Sequence, residues 1–185
     1  MRKSINRITV ICSGTEDSEL LAFTESYLHL LQEQHCSVSV FDLNRMDVRS
    51  CLGCYVCNIK TPGVCIIKDD QASILRAFVN SDRIVVIAPV VQGFMSGRTK
   101  SFIDRLYPME LPFIKIRSGI FTHDPRYEQN PDFGFILHKE ADTDAEDLEI
   151  MRDVNRFIGN FYGGFAFQRT TGESAKEAAY ETARV

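Results

Sequence analysis

The spacing of apolar residues along the chain switches repeatedly between strand and helix periods. Residues 7–13, RITVICS, and 37–42, SVSVFD, are short β-branched runs that predict strands. Between them, within residues 15–34, Leu20, Thr24, Tyr27, Leu28 and Leu31 recur at helical spacing. Residues 83–91, RIVVIAPVV, are apolar on both alternations, which predicts a strand covered on both faces. FGFILHK (133–139) and FYGGFAFQR (161–169) supply two further strands, and helical patterns fit 69–80, 96–107, 143–159 and 173–184. Five strands alternating with helices predict an α/β three-layer sandwich, a parallel sheet with helices on both faces. Residues 43–68 and 108–132 fit neither period, and loops of that length in a compact domain are usually functional or mobile.

Composition narrows the setting without changing that picture. The 185 residues, 1–185, fit one domain, and 44% hydrophobic with 25% charged residues is ordinary for a soluble globular protein. A net charge of −4 gives no basic footprint, so no nucleic acid is expected as a partner. The longest apolar run, IVVIAPVV, is too short for a bilayer, so no membrane is expected either. MRKSINRITV lacks the apolar core of a signal peptide, and six cysteines then predict free thiols in a reducing, cytoplasmic compartment.

Chemistry concentrates at the expected ligand edge. In such a sheet, ligands bind beyond the carboxyl ends of the strands. Three stretches should meet there: 13–18, the loop after the second strand, and 89–98. That loop holds Cys51, Cys54, Cys57 and Cys65 at C-x2-C-x2-C-x7-C. Steps of three bring the first three thiols to one side of a helical turn, and Thr61-Pro62-Gly63 can fold Cys65 back towards them. Four thiols from one short segment suit a 4Fe–4S cluster. A four-cysteine zinc site, a C-x2-C redox pair and reduced thiols along a ligand edge are the other readings. Cys12 and Cys36 read as small buried hydrophobes. The four histidines have no ligand spacing; His138 ends a strand on the site side, while His29 and His35 fall near an exposed helix end. The turn-rich 123–132 reads as a lid or a dimer contact.

Two segments carry a family resemblance. SDRIVVIAPVVQGFMSGRTKSFIDR (81–105) resembles a stretch of the flavodoxin-like NAD(P)H-dependent FMN reductases through Pro89, Val90, Ser96, Gly97, Lys100, Phe102, Asp104 and Arg105. The cysteine segment followed by Asp69-Asp70 resembles the iron–sulfur flavoproteins of the same superfamily. The resemblance implies a flavodoxin-like fold with strand order 2-1-3-4-5, FMN as cofactor and NAD(P)H as electron donor. It implies electrons passing to a small-molecule acceptor, or through a 4Fe–4S cluster at Cys51, Cys54, Cys57 and Cys65, and a homodimer or higher homo-oligomer. The flavin ring edge would lie on Pro89, Val90, Val91, Gln92, Gly93, Phe94 and Ser96, with Gly93 and Gly97 allowing close approach. Ser13, Thr15 and Ser18 would meet the phosphate at a helix N-terminus.

The chain departs from the family in two places. Val91 stands where a tyrosine is usual, and CSGTEDSEL lacks the usual Pro-Arg while bringing in Glu16, Asp17 and Glu19. A carboxylate about 5 Å from a dianionic phosphate costs about 2 kcal/mol in water and about 7 at an effective dielectric of 20. Ser13-x-x-Glu16 also fits a capping box, an ordinary helix start. Two rival readings therefore stand beside the oxidoreductase: a non-enzymatic binding or regulatory module that has lost its phosphate site, and a zinc-stabilised interaction protein. No catalytic residue is assigned.

Overall fold

The computed structural model describes residues 5–14, 16–117, 119–162 and 166–184. Strand β1 (Arg7–Cys12) leads into helix α1 (Ser18–Glu33), and β2 (Ser37–Asp42) pairs parallel with β1. A short helix α2 (Val56–Ile59) lies inside the cysteine loop, and α3 (Gln71–Val79) follows it. Strand β3 (Arg83–Val91) doubles back as β4 (Phe94–Met95), after which α4 (Gly97–Asp104) and a 3-10 turn (Tyr107–Met109) follow. Strands β5 (Glu110–Arg117) and β6 (Ile120–Pro125) form a separate antiparallel pair. Strand β7 (Asp132–His138), helix α5 (Ala145–Tyr162), β8 (Ala166–Thr170) and α6 (Ala175–Ala183) close the chain.

The central sheet has the order β2-β1-β3-β7-β8 with every pairing parallel, as expected, and β4 hangs antiparallel on β3. Alternate residues of β3 serve opposite faces. Ile84, Val86 and Ala88 pack with Ile74 and Phe78 of α3, Phe102 of α4 and Met151 of α5. Val85 and Ile87 pack with Leu20, Tyr27 and Leu31 of α1 and Ala178 of α6. Each fully buried large apolar side chain contributes about 1.5–3 kcal/mol. The Tyr27 hydroxyl donates to Thr182 Oγ1 at 2.8 Å, joining α1 to α6. Among the described residues no helix is long and apolar enough to cross a membrane.

Three expectations need correction. Residues 108–132 are not irregular, since β5 and β6 build a hairpin there. The fifth strand begins at Ala166 rather than 161, because α5 continues to Tyr162. Its buried stripe, Met151, Asn155 and Ile158 at steps of four and three, keeps the helical period going past 155. Helix α1 is capped by Asp17 rather than through a Ser13–Glu16 box: its carboxylate accepts from Glu19 N and Leu20 N, and the helix starts at Ser18.

Candidate functional site

At the carboxyl end of the sheet, the chain leaving β1 lies against the chain leaving β3. Gly14, at φ +76°, sits so close to Pro89 that a Cβ there would stand 2.8 Å from its ring, so this contact requires glycine. Ser13 N donates to Ile87 O at 2.9 Å. The Ser13 hydroxyl is 2.8 Å from Thr99 Oγ1, which is 3.0 Å from Ser96 Oγ, and Ser96 caps α4 by accepting from Thr99 N. A three-hydroxyl chain thus fixes the spacing between the β1 loop and the start of α4. Ser13 is buried and its hydroxyl is committed to that chain, whereas the resemblance implied a phosphate contact.

Residues 89–97 do not simply loop. Val90–Met95 and Val91–Phe94 pair antiparallel across Gln92 and Gly93, whose φ values of +49° and +74° are those of a type I′ hairpin turn. Val90 is core, while Val91 and Gln92 are exposed at the tip. At Gly93 the Cβ direction is taken by α5, where an added Cβ would stand 2.3 Å from Asp147 Oδ1. Gly97 is the open position, with nothing within 4 Å of an added Cβ. The exposed hairpin backbone and this free space fit the edge of a flat ring.

The start of α1 fits a phosphate poorly. Asp17 Oδ1 takes the N–H groups of Glu19 at 2.9 Å and Leu20 at 2.8 Å, the donors an anion at this helix end would use. The Leu20 N–H, which bonds the charged form, is the main reason the Asp17 carboxyl stays below its ordinary value. His138, at the end of β7, brings Nε2 to 3.7 Å from Asp17 Oδ1, while its Nδ1 is 2.8 Å from Thr171 Oγ1. Ser18 is the exposed first residue of α1, and Thr15 lies outside the described residues. The contact between Asp17 and His138 spans most of the chain length, and sequence patterns gave only the position of His138 at a strand end.

The loop from 49 to 69 is closed at its neck by a buried ion pair. Arg105 makes a two-point contact with Asp69, whose side chains are 1% and 0% exposed. Arg105 Nη1 also donates to Arg49 O at 2.8 Å, and Arg49 N donates to Asp69 Oδ2 at 3.0 Å. Asp70 adds a second clasp, accepting from Asp47 N at 2.8 Å. Asp69, Asp70 and Arg105 therefore act together to hold the cysteine loop onto the end of α4, while Asp104 pairs with Lys100 inside that helix.

Inside the loop, Thr61 and Gly63 make the anticipated return. Gly63 N donates to Cys57 O at 2.9 Å, and Thr61 Oγ1 donates to Val64 O at 2.7 Å. Cys51, Cys54, Cys57 and Cys65 all line one cavity of about 60 Å³, whose other walls include Leu52, Tyr55, Ile66, Ile67 and Tyr107. Burial pushes the Cys57 thiol up, and the neighbouring Cys65, Cys51 and Cys54 push it further. A cation bound at Cys57 would share that charge and offset its resistance to ionisation. The donor set fits a thiolate-held metal group in its chemistry. Its spacing is looser: among the described residues no three His, Cys, Asp or Glu side chains stand at metal-ligand separation. Tyr107, pushed up to about 12 by burial and then Tyr55, keeps its phenol protonated beside the cavity.

Residues 6–115 match the family model for NADPH-dependent FMN reductase. A curated relative, an iron–sulfur flavoprotein of Methanocaldococcus jannaschii, is 32% identical over 94 residues, 50% of this chain. The match spans 47% of that relative, about half its length. Among solved structures, an NAD(P)H:quinone oxidoreductase from Methanothermobacter marburgensis superposes with a TM-score of 0.63 at 18% identity, covering 98% of this chain and 94% of the other. An azoreductase from Bacillus anthracis does so with 0.62 at 13% identity, covering 97% and 93%. These likenesses establish the flavodoxin-like fold.

Proposed function

The chain belongs to the NADPH-dependent FMN reductase family, and from that premise we propose that it is an FMN-dependent oxidoreductase drawing electrons from NAD(P)H and passing them to a small-molecule acceptor. The observation that carries this reading is the β3–β4 hairpin with open space at Gly97, set beside the β1 loop at the sheet's ligand edge. A bound flavin would supply hydride acceptance and electron release. The protein's part is to hold it: the backbone of Pro89 to Gly97 lies along the ring edge, and the Ser13–Thr99–Ser96 chain sets the width between the two loops. The six free cysteines suit a reducing, cytoplasmic setting.

Gly97→Val tests this placement. The substituted position has no neighbours to strain, so stability should stay within about 0.5 kcal/mol of the parent. FMN affinity, read by flavin fluorescence titration, should fall at least about tenfold because the added side chain fills the ring's space. Unchanged affinity would rule out this ring position.

A second reading concerns the thiols. Their place along one largely apolar cavity and the likeness to an iron–sulfur flavoprotein support a 4Fe–4S cluster held by Cys51, Cys54, Cys57 and Cys65, which would have to draw the side chains closer together. Iron and sulfide analysis of anaerobically purified protein should then give near-stoichiometric amounts of both. Zinc alone would indicate a structural site, and no metal would leave the thiols as the wall of the ligand edge.

We further read the β5–β6 hairpin as the contact surface for a second copy of the chain. Directly opposed residues of an antiparallel pair share a face, so Ile114, Ile116, Phe121 and His123 stand on one side. Ile114, Ile116 and Phe121 are 64%, 66% and 71% exposed, more than a soluble chain ordinarily leaves open on one face.

A further inference from the structure

We propose that Asp17 makes this flavin site indifferent to the flavin's phosphate, so that the chain takes flavins by the ring and handles riboflavin as readily as FMN. The inference rests on the oxidoreductase reading above and specifies its substrate class. A phosphate gains affinity at a helix start by accepting N–H groups that have no partner of their own. Here the chain's own carboxylate already holds two of them, those of Glu19 and Leu20, and its backbone C=O accepts from Leu21 N at 2.9 Å. Ser13, one of the hydroxyls expected at the phosphate, is buried and committed to Thr99. Glu16 and Glu19 add exposed negative charge on either side. His138 faces the carboxylate from β7, and its contact at 3.7 Å holds Asp17 in the seat rather than opening it to an outside anion.

Asp17 thus stands in for the phosphate that a phosphate-dependent site would recruit. An incoming FMN must either displace it, losing the cap, or leave its own phosphate in solvent beside three carboxylates. In the second case the phosphate contributes little, and binding is set by contacts along Pro89 to Gly97. A ligand held this way exchanges readily, which suits a flavin used as a diffusible substrate.

The test is titration of riboflavin and FMN into the wild-type chain, Asp17→Asn and Asp17→Gly. Asparagine still caps the helix while removing the charge, and glycine frees the two N–H groups at a cost of a few tenths of a kcal/mol. Wild-type protein should bind the two flavins within about threefold of each other, a difference under about 0.7 kcal/mol. FMN should tighten about tenfold in Asp17→Asn, and about ten- to a hundredfold in Asp17→Gly. Riboflavin should not change in either variant. A wild-type preference of tenfold or more for FMN would overturn this inference and leave the oxidoreductase reading intact, as would equal gains for both flavins. Failure of both flavins to bind any of the three proteins would overturn the oxidoreductase reading, and this inference with it.

Discussion

Replacing Arg105 with leucine should lower the unfolding free energy by about 3–5 kcal/mol, a large share of a small domain's stability. The side chains of Arg105 and Asp69 are 1% and 0% exposed, so the change strands a carboxylate with no water to receive it. It also removes the donor to Arg49 O, and the cysteine loop loses the tie between its entrance and α4. Burial by itself would push the Asp69 carboxyl up, but hydrogen bonds from Arg105 and Arg49 N outweigh it and hold it below its ordinary 3.8. The stabilisation from this pair is therefore fully present above pH 3.8 and is lost as pH falls through the lower folded-state value. In Arg105→Leu the Arg105 part of that lowering is lost, so the variant's stability deficit should be largest at neutral pH and should narrow as pH falls through the wild-type folded-state value. Urea midpoints measured from neutral to acid pH read both effects. A midpoint unchanged at neutral pH would show that the pair does not hold the neck closed.

Exchanging Phe121 for aspartate should convert a dimer into a monomer. Phe121 is 71% exposed and opposes Ile116 on the same hairpin face, so in a two-fold assembly it packs twice. The patch does not end with the hairpin. His123 stacks edge-on to Tyr107 at 5.8 Å, and Tyr107 to Tyr55 at 5.7 Å, beside exposed Leu52 and Ile59. Burying an unpaired charge at the centre of this patch should weaken association by at least about 2 kcal/mol, about thirtyfold. Sedimentation velocity should show the wild-type chain at twice the chain mass and Phe121→Asp at the chain mass. A monomeric wild type, or a variant that stays dimeric, would remove the hairpin from the interface.

The legible parts of the fold were those set by local periodicity. RIVVIAPVV could only suit a strand covered on both sides, and it became the centre of the sheet. The return of Cys65 was legible because it is local, made by the Thr61–Gly63 turn within a dozen residues, but the helical turn expected to gather Cys51, Cys54 and Cys57 is not formed, since α2 begins at Val56. The β5–β6 hairpin was missed because its apolar residues face outward, and alternation without an obvious core side reads as a loop. The roles of Asp17, His138, Asp69 and Arg105 were hidden for a different reason. Each depends on a partner far along the chain, 121 residues away for Asp17 and His138, and 36 for Asp69 and Arg105. Sequence flagged the acids at 16–19 as unfavourable to a phosphate, and the structure singles out Asp17 by giving its carboxylate the helix N–H groups.

Family membership sets the expectation of flavin chemistry, and the β3–β4 edge is its proposed seat. Anaerobic protein should be incubated with FMN and then mixed with NADPH, and separately with NADH, while the visible flavin band is followed. The band should bleach with at least one nicotinamide, at a rate that saturates with protein-bound flavin, and return when an electron acceptor is admitted. A band that stays unbleached with both nucleotides, in protein shown by titration to hold flavin, would contradict the oxidoreductase reading and favour a binding module on the same fold.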